Sequence, residues 1–504
     1  MRTTFGPKVA TTIAIAASIT LVMTGCAGGS NAAGGEGGGN DRIELVMMQP
    51  PTAALNPFSD DVAKLSRWST GETLVRLNEN LEIEPLLATE WEQVDELTWI
   101  FTLRDDVTFH DGTPFDAAAA KNTFDQAASA TTPPRALKGI SVTTEATGDY
   151  ELTVTTDVPD PLLTNRFASP QLSVFSDAAY LEDGTVTPVG TGTGPFELVD
   201  VQGTTTATLD RYEDYWGDVA LASGIDVSFV PDGAARAGAL RAGTADVAET
   251  IPVSQVTLLD PEMVNEVFMP RSTIMTMNNT TGPFADPAVR AAARAAIDPQ
   301  AIVETVYEGQ ADPSTGLLGP AIPWAEPMRG DVESGVAPAK VDGIAITLAT
   351  YTDRAENPEI AVQLEKQLED AGFVVTQDVR EYVNMEEEML NPGFDAVIYS
   401  RGTMLDTGDP LSFLAQDFTC DGGYNVAQLC NADVDALIKA SLQIPAGEER
   451  QQATMDAEAA ILQLDAVVPL VHERVVQGEA GTFTDLVRDP LERRLITEYT
   501  TRVK

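Results

Sequence analysis

The chain reads as an α/β protein of more than one lobe, with mixed sheets flanked by helices, and three observations predict this. Residues 344–350 carry an apolar strand pattern, Asn357-Pro358 opens a helix with Ile360, Leu364 and Leu368 at helical spacing, Gly372 stops it, and 373–379 resume a strand. Such a β-α-β unit implies parallel strands joined by a right-handed crossover. Thr98, Ile100 and Thr102 alternate with Trp99, Phe101 and Leu103, the period of a half-buried strand. Finally, 504 residues exceed what one compact core holds.

Taken in order, the chain starts with an export pattern. Arg2 and Lys8 are followed by an apolar run from Val9 to Met23, the length of a secretory h-region and short for a membrane span. Met23-Thr24-Gly25-Cys26 has the small residues of a lipobox, with Met23 where leucine is usual. The expectation is a lipoprotein signal peptide over 1–25, a lipid anchor on Cys26 and a Gly-rich tether over 26–41. An ordinary cleaved signal with an incidental cysteine is the plainer alternative. Localisation is then extracytoplasmic, at the cell membrane. The only other cysteines, Cys420 and Cys430, are expected to form a disulfide in that compartment.

Charge excludes one class of partner. Asp and Glu number 77 against 31 Lys and Arg, a net charge of −46. Such a surface repels phosphate backbones and argues against nucleic acid. A heavily solvated surface accounts for it more simply than a cationic ligand does.

Residues 42–49 read as a strand leading into Leu55-Asn56-Pro57, and 66–80 as a helix. After 98–103 the chain turns, 107–109 resume a strand, His110-Asp111-Gly112-Thr113-Pro114 form a turn, and Asp116 opens an Ala-rich helix through Phe124. Gly190 to Phe196 superficially suggests a phosphate loop, but 196–201 read as a strand and no Gly-Lys-Ser/Thr follows, so the turn is structural. Asp232 caps a helix that Gly243 ends, and Asp286-Pro287 and Asp298-Pro299 each set an N-cap acid before an N1 proline. Residues 394–399 are a further strand, 433–442 and 448–465 helices, and 467–473 a last strand. In parallel α/β sheets, ligands bind beyond the carboxyl ends of strands, which here carry the loops 351–356 and 400–410.

The segment Phe101 to Pro114 has the order F-x-L-R-x-x-V-x-F-H-D-G-x-P. Together with Gly192-Thr193-Gly194-Pro195-Phe196, Tyr215-Trp216-Gly217 and Asp232…Arg236…Ala239-Leu240, it closely resembles the extracytoplasmic solute-binding proteins of ABC importers, family 5, the peptide/nickel class. The resemblance implies a two-lobed periplasmic-binding-protein fold of class II, of the large peptide-binding type with an extra subdomain. Lobe I would span 42–272, with the subdomain at about 82–185, lobe II 273–474, and 475–504 would return to lobe I.

Within the family, dipeptide- and oligopeptide-binding lipoproteins look most similar at the site. Their R-x-x-N-P and D-x-G-D-P motifs stand here as Arg354-Ala355-Glu356-Asn357-Pro358 and Asp406-Thr407-Gly408-Asp409-Pro410. In those proteins the arginine holds the peptide carboxylate and the first aspartate its ammonium, so Arg354, Asp406 and Asp409 are the expected ligand-binding residues. Guanidinium suits a carboxylate through two parallel hydrogen bonds. The match departs at Arg401-Gly402-Thr403, where an aromatic is usual, and at Glu356.

The function this implies is the membrane-anchored substrate-binding component of an ABC transporter, a monomer that captures di- or oligopeptides and hands them to permease subunits with their ATPase. No cofactor is implied. The alternative in the same family is a nickel or metal-chelate binding protein, with His472 as the candidate ligand; the bland role for His472 is a satisfied strand histidine, and His110 belongs to its turn. An enzyme is disfavoured because the chain has no G-x-S-x-G, no H-E-x-x-H and only two histidines. A lipoprotein that passes its ligand to a sensor is the third class.

Overall fold

Two strands of unusual length carry the architecture. Val264–Met277 has 14 residues and Val467–Glu479 has 13, against a typical strand of about 5–6. They run antiparallel from Val264 opposite Gly478 to Thr276 opposite Val467, with the ladder interrupted between Phe268 and Ser272. The computed structural model describes residues 41–354, 356–404 and 407–503. Asp41–Lys504 forms one compact unit.

The long pair sits in the middle of an 11-stranded mixed sheet. Beyond Val467–Glu479 come Val247–Ile251, Arg42–Met47, Gly224–Phe229, Thr206–Arg211 and Phe196–Gln202. Beyond Val264–Met277 come Ala396–Gly402, Ile344–Tyr351 and Phe373–Arg380, and the short Ala311–Pro313 pairs with Val467–Glu479 off this path. Ile344–Tyr351 is parallel to both of its neighbours, as the β-α-β reading requires, with helix Glu356–Asp370 as the crossover. Arg42–Met47 is likewise parallel to both of its neighbours.

Apolar packing follows the halves of this sheet. Ile43, Leu45, Leu209, Ile225 and Val247 belong to one core. In the other half Met275, Ile346, Ile398 and Leu470 pack on one face under Ile360 and Leu364, while Ile274, Val397 and Tyr399 pack on the other under Leu411, Phe413 and Ile461. A separate antiparallel sheet of Ala88–Gln93, Thr98–Leu103, Glu151–Thr156 and Val142–Gly148 holds its own core of Phe101, Phe109, Phe115, Phe124 and Phe167. Among the described residues no helix is long and apolar enough to cross a membrane.

Capping positions agree with the sequence: Asp232, Asp286 and Asp298 each accept a backbone N–H of the first helical turn. Three elements differ. The helix expected over 66–80 is instead Val62–Arg67, after which Ser69 takes a positive φ of 53° and Val75–Leu77 forms a strand. Leu74 and Val75 are wholly buried in the Phe101 core, and that tertiary demand overrides local helix propensity. The 107–109 segment forms no regular strand, only a bridge from Thr108 to Pro114. The last strand, expected to end at 473, runs on to Glu479 because it serves both halves of the sheet.

Gly192 and Gly194 explain the Gly-rich turn. A Cβ on Gly192 would lie 2.1 Å from the Thr70 carbonyl oxygen, and one on Gly194 1.9 Å from that of Ser69. His110 seals the same junction: Nε2 is 2.8 Å from the Gly194 oxygen, and its ring sits edge-on to Tyr212.

Candidate ligand site

Three strands converge on one carboxylate. Glu473, on Val467–Glu479, accepts from Thr273 Oγ1 at 2.9 Å, from the Ser400 hydroxyl, and from Arg354 Nη1 at 2.7 Å. Thr273 and Ser400 face each other across the Val264–Met277 and Ala396–Gly402 ladder. Arg354 follows the carboxyl end of Ile344–Tyr351, where an α/β sheet presents a ligand site. Its side chain is 36% exposed, and Glu473 takes one of its N–H groups. Burial opposes the Arg354 charge, but Glu473, Tyr351, Tyr307 and Glu356 outweigh it and hold its pKa above the ordinary value.

Arg271 stands opposite Gly402 on the same pair of strands. Burial and the like charge of Arg354 push its pKa below the ordinary value, with Glu473, Glu492 and Tyr351 acting against them. It stays charged at neutral pH, as arginine does.

Aromatic rings line the neighbouring wall. Tyr351 and Tyr382 are edge-to-face at 5.4 Å, Tyr399 and Tyr424 at 6.0 Å, and the Tyr382 and Tyr424 hydroxyls are 2.9 Å apart. Arg401 lies 4.3 Å over the Tyr424 ring and donates to both oxygens of Asp417 at 2.7 and 2.8 Å. Burial pushes the Asp417 carboxyl up to about 6, against the pull of Arg401, which leaves the pair ionised at neutral pH. The departure from the family motif thus places a cation on a tyrosine face where an aromatic was expected.

The expected site residues are placed unevenly. Arg354 joins the convergence just described. Asp406 and Cys26 lie outside the described residues. Asp409 is engaged by the protein itself: it caps helix Pro410–Phe418 through Leu411 N at 3.0 Å and takes Arg450 Nε and Nη2 at 2.7 and 3.2 Å. Cys420 and Cys430 are disulfide-bonded. His472 is 4% exposed, with Nε2 2.8 Å from the Ser314 hydroxyl. That hydroxyl donates to the Gly316 oxygen, so Nε2–H donates to Ser314. Gly319 packs on the ring, and burial, then the charge of Arg329, pushes its pKa down to about 4. Among the described residues no three His, Cys, Asp or Glu side chains are grouped to hold a metal ion.

Sequence reasoning missed Glu473, Arg271 and the tyrosine wall. A charged residue within a strand was the available signal for the first two. A surface depression of about 690 Å3 beside Val264, Leu259 and Arg488 shares no residue with this cluster and carries no comparable charge convergence.

Comparison with known proteins agrees with the geometry. Residues 82–425 match the model of bacterial extracellular solute-binding proteins, family 5. The chain is 27% identical over 433 residues to the nickel-binding protein NikA of Staphylococcus aureus, covering 84% of each chain. It is also 27% identical over 475 residues to the glutathione-binding protein GsiB of Salmonella paratyphi A, covering 87% of this chain and 91% of that one. The crystal structure of a nickel ABC transporter protein from Bacillus halodurans superposes with a TM-score of 0.78 at 28% identity, over 91% of this chain and 99% of the other. With its mixed sheets, the chain has the two-lobed periplasmic-binding-protein fold, and it belongs to family 5 of the bacterial extracellular solute-binding proteins, the substrate-binding components of ABC importers.

Proposed function

We propose that this protein captures short peptides between its lobes and delivers them to an ABC permease, held at the membrane by a lipid on Cys26. The observation that carries this reading is the Arg354 guanidinium, set at the carboxyl end of a parallel strand. It is fixed by a single bond to Glu473 and is open enough to offer its remaining N–H groups to a carboxylate. Asp406, on the loop that follows the adjacent parallel strand, would take the peptide's ammonium. Asp409, whose two oxygens take Arg450, would support that loop. The ligand leaves unchanged, because the site binds and does not react.

Ligand exchange rides on lobe closure, since a ligand that contacts both lobes favours the closed form. The test is calorimetry with trialanine and with its C-terminal amide. Binding of the free acid, loss on amidation and loss in Arg354→Ala are expected; equal affinity for acid and amide would refute the carboxylate role. A metal chelate is the second reading, favoured by the nickel-binding relative and by the nickel transporter structure. Nickel–histidine titrated into the same protein separates the two.

A further inference from the structure

The most buried arginines all have partners: Arg450 has Asp409, and Arg236 and Arg290 donate to backbone carbonyls, while the part-buried Arg329 and Arg401 have Glu458 and Asp417. Arg271 breaks that habit. It is part-buried, yet among the described residues it makes no hydrogen bond and no salt bridge. With 77 acidic residues against 31 basic ones, a half-buried guanidinium without an acid is not explained by a shortage of partners.

Its position sharpens the point. Arg271 lies where the ladder between the two long strands is interrupted, between Phe268 and Ser272. Strand alternation puts it on the same face as Thr273, whose hydroxyl binds Glu473. Its cross-strand neighbour is Gly402, and a Cβ built there would meet nothing within 4 Å. Open space therefore lies over Gly402, on the strand face that also carries Thr273 and Ser400. The largest charge effect on Arg271 is the like charge of Arg354; Glu473 and Glu492 act against it, but Glu473 is bonded to Arg354 and Glu492 is paired with Arg67. Two partly desolvated guanidiniums of like charge, one of them bonded to no carboxylate among the described residues, leave a place that an incoming anion relieves.

The geometry points to Arg271 as a second ligand-binding residue: together with Arg354 it clamps one carboxylate of the bound ligand, seated over Gly402, while Glu473 holds Arg354 in position. This rests on the assignment of Arg354 to the ligand. The chemistry recognised is a carboxylate, from a peptide C-terminus or from the amino acid of a metal chelate. Lysine would not substitute, because a point charge lacks the fork that shares a carboxylate with a second guanidinium.

The experiment is calorimetry of the mature protein with trialanine, trialanine amide and nickel–histidine, on wild type, Arg271→Ala, Arg271→Lys, Arg354→Ala and the double variant, with melting curves for each. Expected is a loss of about 30-fold or more in Arg271→Ala for the carboxylate ligand the wild type binds. The melting temperature should be unchanged or raised, because a like-charge contact is removed. Arg271→Lys should restore only part of the affinity. Arg271→Ala should add no further loss for the amide, and the double variant should lose less than the product of the single losses, since both residues grip one group. Peptide-only or chelate-only sensitivity to Arg271→Ala names the carboxylate's source. If Arg354→Ala abolishes binding and Arg271→Ala does not weaken it, the Arg271 assignment fails and the peptide function stands. If neither variant changes binding, or wild type binds no carboxylate ligand, both fail.

Discussion

Replacing Asp409 by alanine separates a structural carboxylate from a ligand-binding one. Arg450 is 3% exposed at its side chain and all three of its nitrogens donate inside the protein: Nε and Nη2 to Asp409, Nη1 to the carbonyls of Ser441, Leu442 and Ile444. Removing the carboxylate leaves a buried charge without its mate, a loss of about 3–5 kcal/mol. The same change deletes the N-cap of helix Pro410–Phe418, about 1 kcal/mol more. For the unit Asp41–Lys504, an unfolding entropy near 2.1 cal/mol/K per residue gives roughly 1 kcal/mol per degree, so the melting temperature should fall by about 4–6 °C. Asp409→Asn keeps one oxygen, enough to cap Leu411 N, but loses the charge and turns an NH2 toward Arg450, and should fall between wild type and Asp409→Ala. Differential scanning calorimetry with and without ligand reads both quantities. If Asp409→Ala melts within about 1 °C of wild type while losing ligand affinity, the carboxylate serves the ligand and the reasoning is refuted.

Other expectations are as direct. Gly194→Ala puts a Cβ 1.9 Å from the Ser69 carbonyl oxygen, backbone that cannot step aside, and should cost at least about 3 kcal/mol; normal yield and an unchanged melting curve would refute the close-approach argument. His472 has its pKa pushed down to about 4 by burial, so its contribution is complete above the unfolded value near 6.5 and is lost as pH falls toward 4, with no further loss below. The drop amounts to about 3 kcal/mol, and His472→Gln should remove that part of the slope between pH 6.5 and 4; an identical slope in the variant counts against it. Cys26→Ala should move the protein from the membrane fraction to the soluble one, and unchanged membrane retention would end the lipoprotein assignment.

Local chemistry made much of the fold legible. The β-α-β unit around Glu356–Asp370 was readable because its apolar residues recur with periods that only a helix and two strands produce. The caps at Asp286 and Asp298 were readable because an acid before proline has few other uses. The segment after Ser66 was misread because Leu74, Val75 and Leu77 fit more than one period, and burial against the Phe101 core settled the matter. The full length of the long strands escaped because Arg271 and Arg474 break their apolar pattern at the points where the strands face charge rather than core.

Sequence alone was enough for the family, the β-α-β unit, the helix caps, the turn glycines and the position of Arg354 beyond a parallel strand, because each depends on neighbours within a few residues or on a motif of fixed order. Tertiary structure alone decided which charges pair. Glu473 meets Arg354 across 119 residues, Arg450 meets Asp409 across 41, and Arg271, opposite Gly402, has no ion pair among the described residues. In a chain with more than twice as many acids as bases, any arginine has many candidate partners. Only the folded sheet, which brings three strands to one carboxylate, selects among them.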